Sequence, residues 1–213
     1  MTLVVKVCGL RTAEAAEVAV AAGADAIGVV FSQKSPRRVT EDEARAVIEA
    51  VAGRATTVVV TNDLDPVEAG LLAQRIGADV LQLHGRYNAD DYRRATDTGI
   101  RLWRATALSD DTDLRVGAWG EEALLLDAPK PGSGERWDLS ALATRQPDGP
   151  WLLAGGLNPD NVAEAIAQAR PWGVDVSSGV ESEPGVKDLD KIREFVAAAR
   201  AAHLSANPAL DAD

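Results

Sequence analysis

The chain has 213 residues, 46% hydrophobic and 26% charged, which suits one sizeable core and is short for two domains. A formal charge of −11 with no basic stripe argues against nucleic acid or an anionic membrane as partner, yet leaves room for a small anion held by backbone N–H groups and one Arg. One cysteine excludes an internal disulfide, and apolar runs such as 58–60 and 124–126 are far too short to span a membrane, so a cytoplasmic location is expected.

Strand-like runs alternate with Ala-rich helical stretches along the chain. Residues 3–7 read as a strand and 12–22 as a helix. Residues 26–31 read as the second strand, followed by a helix opening at Thr40, whose spacing to Glu43 is that of a capping box. The pattern continues with a strand at 57–60, a helix at 66–76, a strand at 80–83 and a helix at 89–98. The fifth strand, 100–105, is followed by the least convincing helical stretch of the chain. Strands at 123–126, 151–154 and 174–176 complete the set, with helices predicted near 138–143, 159–169 and 189–202.

Three tripeptides punctuate this alternation: Gly23-Ala24-Asp25, Gly77-Ala78-Asp79 and Gly173-Val174-Asp175. Each reads as a helix end turning into a strand, with Gly in the left-handed position just past the helix. Their separations are close to one and two multiples of a pair of βα units. Eight strand candidates exceed the roughly five of a flavodoxin-like open sheet. The expected fold is therefore α/β, a single (β/α)8 TIM barrel over residues 1–204, with 205–213 as a disordered tail.

In such barrels the C-terminal strand ends gather at the catalytic face. Here they carry Cys8, Ser32, Asn62, His84, Thr106, Asp127, Gly155-Gly156 and Ser177-Ser178-Gly179. Cys8 shares a strand face with Lys6. It reads either as a small buried apolar side chain or as a thiol that a modest environmental shift would make a base near neutral pH. Asp127 ends a buried strand and reads either as a turn-capping Asp or as a partly desolvated general acid. The loop after it, 128–136, is rich in Pro and Gly and suits a lid as well as a plain surface loop. Gly155-Gly156 and Ser177-Ser178-Gly179 follow the last two strands, where barrels often bind phosphate. Arg37 can grip a carboxylate through two parallel N–H···O bonds, or simply be a solvated surface residue. His84 lines the same face or plays a structural part, and no cluster of metal-ligand spacing is present, so no metal is expected.

Taken in order, these motifs resemble the phosphoribosylanthranilate isomerase family over almost the whole chain. The resemblance rests on Lys6-Val7-Cys8-Gly9-Leu10, Ser35-Pro36-Arg37, Gln82-Leu83-His84-Gly85 and Leu125-Leu126-Asp127. It continues through Ala154-Gly155-Gly156-Leu157-Asn158-Pro159, Asp175-Val176-Ser177-Ser178-Gly179-Val180-Glu181 and Pro184-Gly185-Val186-Lys187-Asp188. Two departures stand out: Pro131 replaces the first of the paired glycines usual after the catalytic Asp, and Val59-Val60-Thr61-Asn62 lacks the usual aromatic residue. The resemblance implies an Amadori rearrangement of N-(5-phosphoribosyl)anthranilate in tryptophan biosynthesis, without a cofactor. It implies Asp127 as general acid, Cys8 as general base and Arg37 on the anthranilate carboxylate. His84, Gly155, Gly156, Asp175, Ser177, Ser178 and Gly179 are the other substrate-binding positions it implies, in a monomer or homodimer. The rivals are the sister isomerase of histidine biosynthesis, against which Cys8 argues because that family resembles a barrel with Asp there, and a non-catalytic sugar-phosphate sensor.

Overall fold

The computed structural model describes residues 2–127, 139, 142 and 145–206. Eight parallel strands close into a barrel in sequence order: β1 Val4–Cys8, β2 Ala26–Val30, β3 Thr56–Thr61, β4 Val80–His84, β5 Arg101–Ala107, β6 Ala123–Asp127, β7 Trp151–Leu153 and β8 Gly173–Val176. The ring closes where Val4–Val7 pair with Gly173–Val176, setting Lys6 opposite Asp175. On the other side of β1, Cys8 lies opposite Gly28.

The two-residue period of the strands divides the core into two shells. Val5, Val7, Ile27, Val29, Leu81, Leu83, Leu124 and Leu126 point outward and are buried beneath the helices. Val58, Val60, Val80, Trp103, Ala105, Leu125 and Leu152 fill the lumen together with Cys8. Five of the helices lie between strands or after the last one as the periodicity predicts: α1 Ala13–Ala21, α2 Glu41–Val51, α3 Pro66–Ile76, α4 Ala89–Thr96 and, at the end, the 18-residue helix Leu189–Ala206. Their starts are chemically specified. Thr12 and Asp65 cap α1 and α3, Thr40 forms the expected capping box with Glu43, and Asn88 forms another with Asp91.

Several expectations need correction. The helix expected from 159 is α5 Val162–Ala169 and starts three residues later, because Asn158 Oδ1 accepts from the N–H groups of Asp160 and Asn161 and makes a separate turn. The last helix, α6 in this numbering, runs to Ala206, two residues past the expected barrel boundary, while 207–213 lie outside the described residues. The helix near 138–143 falls mostly outside them as well. Between β5 and β6 there is no helix, only turns. That sector of the wall is closed instead by Arg104, which points outward from β5 and is 1% exposed. Its Nε donates to Glu121 at 2.7 Å, its Nη2 to the carbonyls of Asp113 and Arg115, and its guanidinium lies 4.7 Å over the Trp119 ring.

Two of the three Gly-x-Asp tripeptides do the same job. Asp25 Oδ2 accepts from Val5 N at 2.7 Å, and Asp79 Oδ2 accepts from Thr57 N at 2.8 Å, so each carboxylate ties its own strand's start to that of the preceding strand. The third differs. Arg170 takes the left-handed turn at φ 47°, Gly173 is already inside β8, and a Cβ on it would lie 2.7 Å from the carbonyl oxygen of Val4.

Candidate active site

The C-terminal strand ends surround a cleft of about 280 Å³ whose lining includes Cys8, Arg37, Asn62, Gln82, His84, Asp127, Gly155, Gly156, Asp175, Ser177 and Ser178. All the predicted site residues except Gly179 therefore face one space. Gly179 stands directly behind it: a Cβ there would sit 1.8 Å from the carbonyl oxygen of Leu157, so only glycine lets the turn after β8 pack against the turn after β7.

Cys8 and Asp127 end β1 and β6 and are 7% and 9% exposed. Burial pushes the Cys8 thiol upward, opposed chiefly by the Lys6 ammonium. Of the two readings of the sequence, a thiol lowered toward neutral pH is not what the free cleft favours: desolvation of the thiolate outweighs the neighbouring cation. His84 ends β4 with Nε2 3.6 Å from Asp127 Oδ2. Burial holds its imidazole below the ordinary value despite Asp127 and Asp175, which favours the neutral ring.

Arg37 faces the cleft, whereas Arg38 is exposed in a separate groove with Thr40, Glu41 and Arg75. Arg37 is not a free solvated side chain. Its Nε and Nη2 donate to the two carboxylate oxygens of Glu181 at 2.6 and 2.9 Å. Glu181 opens the hairpin strand β9 Glu181–Glu183, which pairs with β10 Val186–Lys187. Lys187 Nζ donates to Glu181 Oε1 at 2.9 Å and to the carbonyl oxygen of Ser177 at 2.8 Å. One carboxylate therefore links the Arg37 loop to the turn after β8 and leaves the rest of the guanidinium available to a ligand.

The two turns after β7 and β8 form the rim. Gly155 and Gly156 have φ of 87° and 68°, a conformation that side-chain-bearing residues rarely adopt. Asn161 Nδ2 donates to the carbonyl oxygen of Gly156 at 2.8 Å and fixes the turn. Ser177 Oγ donates to the Cys8 carbonyl at 3.2 Å, joining β8 to β1, and a 3₁₀ turn, Ser178–Val180, follows. Such paired turns, with glycine backbone exposed to the cleft, suit a small phosphate.

Sequence reasoning assigned no role to four residues. Lys6 is fully buried, and its Nζ donates to Asp175 Oδ1 at 2.6 Å. Its signal was the shared strand face with Cys8. Gln82 lies two residues before His84 on the same face of β4, and its Oε1 is buried with no hydrogen-bond partner among the described residues. Glu181 carried no local signal because Arg37 lies 144 residues away, and Lys187 acts on the site only through Glu181 and the Ser177 carbonyl. The loop 128–136, including Pro131, lies outside the described residues. Among the described residues no group of three His, Cys, Asp or Glu side chains is placed to hold a metal ion, and no helix is long and apolar enough to cross a membrane.

The family model for N-(5'-phosphoribosyl)anthranilate isomerase matches residues 5–198. A Bradyrhizobium protein of that name is 40% identical over 213 residues, covering 95% of this chain and 97% of its own. The crystal structure of TrpF from Jonesia denitrificans is 52% identical, with a TM-score of 0.88 over 95% of this chain and 98% of that one. A phosphoribosyl anthranilate isomerase solved in complex with reduced 1-(o-carboxyphenylamino)-1-deoxyribulose 5-phosphate is 34% identical, with a TM-score of 0.82 over 94% of this chain and 100% of that one. A family match across nearly the full barrel, joined to a cleft with a thiol, a carboxylate and two glycine-bearing rim turns, places this chain in the N-(5'-phosphoribosyl)anthranilate isomerase family.

Proposed function

We propose that Asp127 and Cys8 are the proton carriers by which this barrel isomerises N-(5-phosphoribosyl)anthranilate to 1-(2-carboxyphenylamino)-1-deoxyribulose 5-phosphate in tryptophan biosynthesis. The observation that carries the assignment is that Cys8 and Asp127 end different strands yet line one cleft, with the Gly155-Gly156 and Ser178 turns on its rim. Asp127 protonates the ribose ring oxygen, and the ring opens to a Schiff base. Cys8 then removes the C2′ proton, giving an enolamine that becomes the ketone. The substrate's iminium nitrogen is the electron sink, so the step calls for no cofactor. A cationic iminium beside Cys8 favours the thiolate, against the burial that keeps the thiol protonated in the free cleft.

Arg37, steadied by Glu181, binds the anthranilate carboxylate, and the rim turns bind the phosphate. His84, neutral beside Asp127, and Asp175, paired with Lys6, complete the substrate-facing wall. The residues given these roles all come from one chain, and a monomer or a homodimer in the cytoplasm is compatible with them.

The decisive experiment follows the loss of anthranilate-substrate fluorescence with the wild-type protein and with Cys8→Ser and Asp127→Asn. Each variant should lower kcat by about 10²-fold or more with little change in substrate binding. Near-normal kcat in either variant removes that residue from its role. Efficient turnover of the histidine-pathway intermediate alone would reassign the substrate.

A further inference from the structure

Lys6 and Cys8 project into the lumen from the same face of β1, Lys6 one step deeper. Lys6 is 0% exposed, so it lies below the floor of the cleft and out of reach of a substrate. Its ammonium has three donors. One goes to Asp175 Oδ1 at 2.6 Å, from the residue directly opposite on β8. The others are left on the side of the lumen where Cys8 stands, two residues along the same strand face, with its sulfur and the ammonium both beside Gly28.

The neighbouring strand leaves room for that contact. Gly28 is in register with Cys8, and a Cβ on Gly28 would lie 2.9 Å from Cys8 Sγ and 3.4 Å from Lys6 Nζ. Any side chain at position 28 would therefore push into the space that sulfur and ammonium share.

We infer that Lys6 is a positioning residue: anchored by Asp175 and given room by Gly28, its ammonium holds the Cys8 sulfur in place and poises it toward the thiolate. The proposal deepens the reading of Cys8 as the base, and it depends on that reading only for its effect on turnover.

The other charges around the sulfur act in known directions. Lys187 on β10 also favours the thiolate, and Asp175 on β8 disfavours it. His84 on β4 and Asp127 on β6 line the same cleft, and Arg37 is tied to Glu181. Lys6 is the largest of the influences that favour the thiolate. A lumen ion pair with a structural role alone would leave the sulfur's titration unmoved.

Cys8 is the single cysteine, so thiolate absorbance and iodoacetamide alkylation read this sulfur alone. Lys6→Met should raise the thiol's titration midpoint by about one pH unit or more. One unit lowers the thiolate fraction at neutral pH tenfold; because a more basic thiolate is also more nucleophilic, alkylation should slow by about threefold. Lys6→Arg, which keeps a cation, should recover most of the shift. If Lys6→Met fails to fold because Asp175 is left without its partner, Gly28→Ala makes the same test. Its methyl wedges between sulfur and ammonium while leaving the Lys6–Asp175 pair intact, and it should move the midpoint in the same direction. A midpoint unchanged within a few tenths of a unit in whichever variant folds overturns the inference. A midpoint that moves while kcat does not upholds the Lys6–Cys8 pairing and removes Cys8 from the base role, so the two failures are distinguishable.

Discussion

Two buried ion pairs sit on opposite sides of the same barrel wall. Lys6–Asp175 lies in the lumen under the cleft, and Arg104–Glu121 lies outside it, where a helix is missing between β5 and β6. In both, the cation is almost wholly removed from water and holds one carboxylate at 2.6 or 2.7 Å. They differ in where the cation's remaining donors go. Arg104 spends them on the carbonyls of Asp113 and Arg115 and lays its plane on Trp119, which packs edge-on against Tyr92. These bonds hold turns where a helix would otherwise cover the sheet. Lys6 shares the space beside Gly28 with a thiol that borders the cleft. Burial of a charge pair therefore does not define its role; the third group it touches does.

The largest effect should come from breaking the outer pair. Arg104→Met keeps a long apolar stem but leaves Glu121 buried and unpaired, and should cost about 3–5 kcal/mol of folding stability. Urea unfolding of the variant measures this, and kcat per folded molecule should stay near wild type. A large drop in kcat with stability intact would place the outer pair in the chemistry and erase the contrast.

A third pair, Arg37–Glu181, lies between the two extremes, with side chains 21% and 5% exposed. Here the cation borders the cleft itself. Arg37→Ala should raise KM about 10- to 100-fold, with kcat changed much less, because one bidentate grip on a carboxylate is lost while Lys187 still neutralises Glu181. Steady-state kinetics settle it, and an unchanged KM would remove the carboxylate clamp.

Most of the barrel was legible in the sequence because its signals are local. The two-residue period of the strands, the Thr40–Glu43 box and the Asp65-Pro66 start all act within a few residues of where they are read. Cys8, His84 and Asp127 were legible for a related reason: a polar residue at the end of an apolar strand announces the catalytic face. Glu181 was not, because its partner Arg37 lies 144 residues away and only the closed barrel brings them together. Arg104 was missed as well, since a charged residue inside a strand gives no hint that a helix is absent outside it. The Gly173 tripeptide misled for the opposite reason. Its local pattern matches those at Gly23 and Gly77, but the helix had already ended at Arg170, and the glycine serves close packing of β8 against β1.

That reuse of one tripeptide gives a smaller test, on carboxylates that pair with backbone instead of lumen cations. Asp79→Ala removes the acceptor for Thr57 N and Oγ1, at 2.8 and 2.7 Å, and should cost about 1–2 kcal/mol with kcat unaffected. A comparable loss of activity would mean that the N-terminal end of the barrel also shapes the cleft, against the division of labour between its two ends.

The smallest effect should be a gain. Arg170 closes α5 in the left-handed conformation at φ 47° and its side chain is exposed, so its backbone bears a strain that its side chain does little to offset. Arg170→Gly removes the strain and adds some unfolded-state entropy, for a net stabilisation of about 0.5–1 kcal/mol. Thermal and urea unfolding should both move upward while kcat and KM stay put. If Arg170→Gly destabilises instead, the guanidinium contributes more to the outer wall than its exposure suggests, and charged side chains outside the barrel hold more of the fold than the Arg104 pair alone.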